Sequence, residues 1–324
     1  MFTILGSGFG LYGYLPALVD GCGEQVTLPE RYRSRLQARP ELVQLESRVR
    51  WSPDENAALD ESDGIVIALP PERQAQWLPE CIARANLRRL ILEKPLASSP
   101  EIAQELAAEL VRKRKSFRLG YTFRFTDWGQ WWLANGAVIR RSGQEIWLAW
   151  NFLAHHFRND LQNWKRHHST GGGALRFYGI QVIALLADMG YCDVTASQAF
   201  AVAGDEIERW TARFSGGGQP DCTVTLDSRS EENRFVIRQG PASSGPVAGA
   251  IADLSDPFET RGDPAPLSHI DRRIPLLVRV ARSLEEDDSR WHQYYDAATK
   301  LWSLTESRTT FNPMDAQERR ARST

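Results

Sequence analysis

Residues 4–10 read Ile4-Leu5-Gly6-Ser7-Gly8-Phe9-Gly10, directly after Phe2 and Thr3 have opened a strand. A strand that runs into alternating glycines turns sharply and lets its backbone approach whatever lies beyond it. The free N–H groups at the start of the next helix then face that same place. These are the needs of a pyrophosphate cradle in a dinucleotide fold. With the strand ending at Leu5, Gly6 is the first glycine and Gly8 the second, and Leu11 stands where a third glycine or alanine is usual. The spacing GxGxxG is also met by Gly8, Gly10 and Gly13. Position gives the motif its meaning: it follows a strand and precedes a helix over 13–20.

From this turn to residue 120, strand-like and helix-like segments alternate. Strands are expected at 25–28, 48–51, 64–69, 89–93 and 116–120, with helices around 31–38, 40–46, 71–85 and 100–114. The run GIVIAL at 64–69 is almost wholly apolar, as a strand buried on both faces must be. Such alternation predicts an α/β Rossmann domain over 1–120, built on a doubly wound parallel sheet.

The pattern changes after Tyr121. A helix is expected over 126–135 and another over 173–188. Strands are expected at 144–154, 195–203, 206–214, 220–227 and 233–239. This predicts an α+β domain over 121–311 with an open, largely antiparallel sheet, whose outer face suits a homodimer or homotetramer. Residues 240–270, rich in Gly, Pro, Ser and Asp, read as loops. Helices follow near 271–285 and 288–306, then a polar tail over 312–324.

Composition narrows the function classes. The 324 residues carry 39 Lys and Arg against 41 Asp and Glu, a formal charge of −2, so nucleic acid and anionic membrane are not expected as partners. No apolar run is long enough to span a bilayer. The N-terminus opens as a strand, without a leader pattern, which places the chain in the cytoplasm. Cys22, Cys81, Cys192 and Cys222 are widely spaced and read as reduced thiols. Of the 11 tryptophans, Trp131, Trp132, Trp147, Trp150 and Trp164 crowd the middle third, as core or as a flat wall for a sugar ring.

In an open parallel sheet, ligands gather at the carboxyl ends of the strands. The second strand ends at Leu28-Pro29-Glu30-Arg31. Glu30 suits the ribose hydroxyls of NAD, whereas Arg31 and Arg33 suit the 2′-phosphate of NADP, and both cofactors stay open. The fourth strand ends at Leu69-Pro70, and the fifth at Glu93-Lys94-Pro95. A lysine at that rim can give a proton to a carbonyl oxygen or take one from a hydroxyl.

These pieces resemble the glucose–fructose oxidoreductase, inositol dehydrogenase and rhizopine catabolism family. The matching stretches are GSGFGLYGYLPAL at 6–18, IVIALPPERQ at 65–74, LEKPLA at 92–97, GYTFRF at 120–125, GGGAL at 171–175 and HQYYDAATKLWSL at 292–304. The resemblance implies an NAD(P)-dependent oxidoreductase acting on a sugar, cyclitol or nucleotide sugar. It places the cofactor on Gly6, Gly8, Phe9, Gly10, Glu30, Arg31, Leu69, Pro70, Glu93 and Lys94, and makes Lys94 the main acid or base. It places the substrate beside Tyr121, Arg124, His156, Trp164, Lys165, Phe177 and Gln181. The sequence departs from the family where an Asp and a His are usual, four residues apart on one helix face: Phe177 and Gln181 stand there. Gln74 likewise stands where a histidine is common. Lys94 then works alone, or with Tyr178, Tyr121 or a histidine such as His168. The rival readings are an imine reductase of a biosynthetic pathway and a cofactor-binding pseudoenzyme that regulates or scaffolds.

Four of the six histidines form the pairs His155-His156 and His167-His168. Neither pair has the i, i+4 spacing of a helical metal site, and no metal is expected. His156 ends an expected strand, and His168 stands just before the glycine turn. Trp164-Lys165-Arg166 in the same loop suits an anionic substrate.

Overall fold

The structure, a computed structural model, describes residues 1–202, 204–240, 250–259 and 270–314. The chain divides into two compact units. The first comprises Met1–Ala97, Ile102–Phe125 and a returning segment that ends at Gln293. The second comprises Ser98–Glu101, Thr126–Glu259 and the chain from Tyr294 onward. The return to the first unit, which carries the helix Ile274–Arg282, has no counterpart in a division of the chain at residue 120.

The first unit holds six strands: β1 (Phe2–Leu5), β2 (Val26–Pro29), β3 (Val49–Ser52), β4 (Gly64–Ile67), β5 (Arg89–Leu92) and β6 (Ser116–Leu119). All pair in parallel, in the order β3-β2-β1-β4-β5-β6. This is the doubly wound order whose reversal falls beside β1, so the turn after β1 lies at the switch point. Every residue of β1, β2 and β4 is buried, as the apolar runs require. The helix after β1 runs in wide π-type turns over Gly10–Tyr14 and Ala17–Gly21. The helices Pro71–Ala83 and Pro100–Arg112 each begin on a proline, whose missing N–H costs nothing at a first-turn position. A further short helix, Glu55–Asp60, is capped by the Asp54 side chain and carries too few turns to announce itself in the sequence.

The second unit is built on a mixed sheet of seven strands: β7 (Ile146–Leu153), β8 (Asp193–Ala201), β9 (Ile207–Ser215), β10 (Cys222–Asp227), β11 (Arg229–Gln239), β12 (Ala252–Leu254) and β13 (Thr309–Pro313). Their order is β12-β11-β7-β10-β9-β8-β13, antiparallel except at the β7–β10 and β8–β13 pairs. In β9 and β10 buried and half-buried residues alternate over most of their length, so one face is covered and the other open. Trp132, Trp210 and Trp302 are fully buried, while Trp131 is 49% exposed.

Three local expectations are corrected. Asn312 and Pro313, expected to begin a polar tail, close β13 and pair with Phe200 and Ala201. The 240–270 stretch, expected to be loop, contains the short strand β12; residues 241–249 and 260–269, like 315–324, lie outside the described residues. Strand β7 stops at Leu153, and His156 belongs to the short helix His155–Arg158. Edge strands of three to five residues leave no period long enough to read.

Candidate functional site

In the first unit, the turn after β1 divides three tasks among three glycines. Gly6 has φ +130°, and a Cβ there would collide with the backbone of Ala68 just beyond β4. Gly8 faces open space, so its backbone is free to approach a ligand. Gly10 lies where a Cβ would meet the Ile4 side chain at 2.7 Å, so the close packing of helix on strand falls to Gly10 and leaves Leu11 free to be a buried leucine. The turn is pinned from outside. The N–H of Gly6 donates to the Tyr32 hydroxyl at 3.1 Å, and Arg35 Nη1 donates to Ser7 Oγ at 2.9 Å. The Phe9 ring packs edge-on against Tyr12 and Tyr14, with the Arg273 guanidinium 4.2 Å above it. Asp271 grips that guanidinium at 2.9 and 2.7 Å.

Beyond β2, the charged residues are largely committed. Glu30 binds Arg33 through both carboxylate oxygens at 2.6 and 3.1 Å. Arg33 also reaches Glu46 and stacks over Trp51, and Arg31 pairs with Glu55.

At the end of β4, Leu69 and Pro70 lead into the helix that carries Gln74. This glutamine is fully buried. Its Nε2 donates to the carbonyls of Glu93 at 2.8 Å and Leu96 at 3.0 Å, and its Oε1 accepts the Glu93 N–H at 3.0 Å. A neutral amide here serves both sides of the loop at once, which a single imidazole cannot do in the same way. The clamp holds the segment that bears Lys94, whose peptide bond to Pro95 is cis. Glu93 turns inward and accepts a 2.6 Å hydrogen bond from the Tyr14 hydroxyl. Loss of water pushes its carboxyl up from the ordinary range, against the pull of Lys94, Tyr14 and Arg273. Tyr121, at the end of β6, is buried, which pushes its phenol up, and the buried Arg124 lies 4.7 Å over Trp291.

In the second unit, the glycine turn at 171–173 builds the other group of residues. Gly171 and Gly173 have positive φ, and a Cβ on Gly172 would strike the Trp164 carbonyl. The backbone of Trp164 and Lys165 is thereby laid against the start of the helical segment Ala174–Gly179, which is again wound in π-type turns. One aromatic cluster results. Phe177 meets Trp164 at 5.2 Å and Tyr178 at 4.8 Å between ring centroids, and Lys165 Nζ lies 5.3 Å over Phe177. Tyr178 in turn packs against Phe152, Trp150 and His156. His156 is buried, its Nε2 has no hydrogen-bond partner among the described residues, and burial beside Lys165 and Arg166 drives it down to about 4. It is a neutral imidazole at neutral pH. Gln181, one turn beyond Phe177, is buried as well.

His168 stands apart from that cluster. Its Nε2 meets Glu306 at 3.1 Å, and its ring packs on Phe311. Arg176 and Trp302 Nε1 also bind Glu306, at 2.8 and 3.0 Å. Burial alone would raise the Glu306 carboxyl, but His168 and Arg176 outweigh it and hold it at about 2. Among the described residues, no group of His, Cys, Asp and Glu is placed to hold a metal ion, and no helix is long and apolar enough to cross a membrane.

No family model matches the chain, and no curated protein matches it in sequence. Solved structures do match. KijD10, a 3-ketoreductase from Actinomadura kijaniata held with NADP and TDP-benzene, has a TM-score of 0.68 at 12% identity, over 97% of this chain and 99% of its own. The WlbA dehydrogenase from Chromobacterium violaceum, with NADH and UDP-GlcNAcA, scores 0.65 at 14% identity, over 95% and 94%. An oxidoreductase from Agrobacterium radiobacter, with NAD+, L-tartaric acid and magnesium, scores 0.68 at 14% identity, over 94% of each chain. At such identities the likeness establishes the fold: a Rossmann unit followed by a unit with an open mixed sheet.

Several residues of these two constellations are invisible to sequence reasoning. Tyr14, Tyr32, Arg35, Arg273, Arg176 and Glu306 all act on partners far along the chain. Gln74 alone left a signal, as the residue that stands where the resembled family often has a histidine after the Pro70-Pro71 turn.

Proposed function

We propose that this chain is an NAD(P)-dependent oxidoreductase that moves a hydride to or from a hydroxyl/carbonyl pair on a sugar, cyclitol or nucleotide-sugar-like molecule. One observation carries the reading. The glycine turn after β1 and the Lys94 loop after β5 sit at the carboxyl ends of strands in one parallel sheet, with only β4 and its Leu69-Pro70 turn separating them. The open space at Gly8 and the turn built by Gly6 fit a dinucleotide pyrophosphate. Phe9, Gly10, Glu30 and Arg31 complete its proposed surroundings, with Glu93 and Lys94 at the nicotinamide end.

The dinucleotide supplies a ring that accepts or donates hydride. The chain's own work is proton handling and orientation. In oxidation, Lys94 Nζ takes the hydroxyl proton as the carbon gives up its hydride; in reduction, it returns a proton to the carbonyl oxygen. Gln74 fixes the loop from which Lys94 acts. The second unit carries its own group of proposed substrate-binding residues: Trp164 and Phe177 offer flat apolar surface, Lys165 positive charge, and Tyr178 a phenol. Tyr121 and Arg124 in the first unit, and His156 and Gln181 in the second, are each proposed as substrate-binding residues that offer neutral or charged hydrogen-bonding groups. Two of the KijD10 structures are variants, one with a lysine replaced by alanine and one with a tyrosine replaced by phenylalanine. Those two positions have the same sequence separation as Lys94 and Tyr178 here, which supports the pair over His168, whose Nε2 is engaged by Glu306. The open face of the second sheet, with Trp147, Thr223 and Thr225 half-exposed, is the surface proposed for self-association.

The test is a nicotinamide absorbance assay over nucleotide sugars, free sugars, cyclitols and imines, with calorimetry of NAD+ and NADP+. Turnover on a sugar-type substrate is expected. Binding of neither dinucleotide overturns the reading, and turnover confined to imines moves it to the reductase rival.

A further inference from the structure

We propose that Arg35 reads the 2′-phosphate of NADP(H), with Ser7 as its partner on the glycine turn, so that the chain prefers NADP(H) to NAD(H). The inference rests on the dinucleotide reading above and adds which dinucleotide is bound and which residue selects it. The 2′ position of the adenosine ribose lies beside the first βα turn and the end of β2. Four arginines follow β2 closely, and three are already neutralised. Arg31 pairs with Glu55, Arg33 with Glu30 and Glu46, and Arg39 with Glu41 at 3.3 Å. Arg35 has no carboxylate partner among the described residues. Its one recorded bond goes to the hydroxyl of Ser7, the side chain between Gly6 and Gly8. A guanidinium carries five donors, so most of those on Arg35 remain for an incoming anion.

The acid that would favour NAD(H) is occupied. Ribose hydroxyls need a carboxylate acceptor at the end of β2, and Glu30 spends both of its oxygens on Arg33. An unneutralised carboxylate would repel a 2′-phosphate; a paired one does so far less. The segment therefore presents one unpaired positive charge and one hydroxyl at the turn, a donor set that matches a phosphate in charge and geometry.

Calorimetry on the full chain tests this with NADP+, NAD+ and adenosine 2′,5′-bisphosphate. The wild type should bind NADP+ at least about tenfold more tightly than NAD+, as one charge-assisted contact allows. Arg35→Ala should weaken NADP+ and the bisphosphate by about tenfold or more while changing NAD+ by less than about threefold. Arg35→Lys should recover part of the loss. Arg33→Ala frees the Glu30 carboxylate and should move the preference toward NAD+, weakening NADP+ by repulsion while leaving NAD+ binding intact or tighter. Arg35 is on the surface, and thermal melts identify any variant that fails to fold. Equal or tighter binding of NAD+ by the wild type, or equal losses for both cofactors in Arg35→Ala, overturns the inference and leaves the oxidoreductase reading standing. Binding of neither dinucleotide brings down that reading, and this one with it.

Discussion

The Tyr14 hydroxyl, on the helix after β1, donates a 2.6 Å hydrogen bond to Glu93 Oε1, in the residue just before Lys94. Gly120 leaves room for this pair, since a Cβ there would sit 2.9 Å from Glu93 Oε1 and 3.1 Å from the Tyr14 hydroxyl. The ends of β5 and β6 and the helix after β1 thus converge on one carboxyl that has lost much of its water. Because burial raises this carboxyl, the folded state favours its protonated form. Its contribution to stability is greatest in acid and declines as pH rises through the folded pKa. Glu93→Gln keeps the acceptor for Tyr14 and removes the ionisation. Its melting temperature should gain on the wild type as pH rises from acid to neutral. A gap that stays constant across that range would contradict the assignment. Tyr14→Phe should lose about 1–2 kcal/mol, the penalty for stranding a buried acceptor.

Glu306 has the opposite sign. His168 and Arg176 hold its carboxyl at about 2, below the 4.5 of an unperturbed glutamate. The stability this supplies is complete above about pH 4.5 and drains away as pH falls toward 2. Glu306→Gln should lose on the order of 3 kcal/mol at neutral pH and little at the acid end. Urea unfolding at several pH values measures the difference, and an equal loss at every pH would show that packing, not charge, accounts for it.

His156 titrates out of reach of neutral pH. Burial holds it at about 4, against 6.5 for an exposed imidazole. As pH falls from 6.5 to 4, the unfolded chain takes up the proton first, so stability declines over that window and is complete above it. His156→Phe should remove that slope, a change on the order of 3 kcal/mol across the window relative to wild type. Parallel pH dependence in the two proteins would mean that another group titrates there.

The first sheet was legible because strands buried on both faces leave unbroken apolar runs, and GIVI of β4 is the clearest case. The glycine turn and Lys94 were legible because each is a local pattern tied to a strand end. β12 and β13 were not, since edge strands of three and five residues need no alternation. The helices Glu55–Asp60 and Gly136–Ser142 are too short to build a 3.6-residue period. Arg35 could be read as basic but not as unpaired, because its neighbours' partners, Glu55 and Glu46, come from other elements. The coupling of His168 to Glu306 joins positions 138 residues apart, and no local signal marks it.

Lys94→Met should bind the dinucleotide almost as the wild type does while turnover falls roughly 10²–10⁴-fold, the usual contribution of a positioned acid or base. The loop stays in place because Gln74 binds its backbone, not its side chains. Tyr178→Phe should lower turnover with little change in folding, since the ring keeps its contacts with Phe152, Phe177 and His156. Installing the pair that the resembled family carries, Phe177→Asp with Gln181→His, should not rescue Lys94→Met. Phe177 is packed between Trp164 and Lys165, and Gln181 is buried, so the new carboxylate would be tied to the Lys165 ammonium and the new imidazole would be held in its neutral form by burial. Single-turnover measurements with saturating dinucleotide separate hydride transfer from binding. Rescue by the double substitution, or near-normal turnover in Lys94→Met, would move the proton from Lys94 to a group of the second unit.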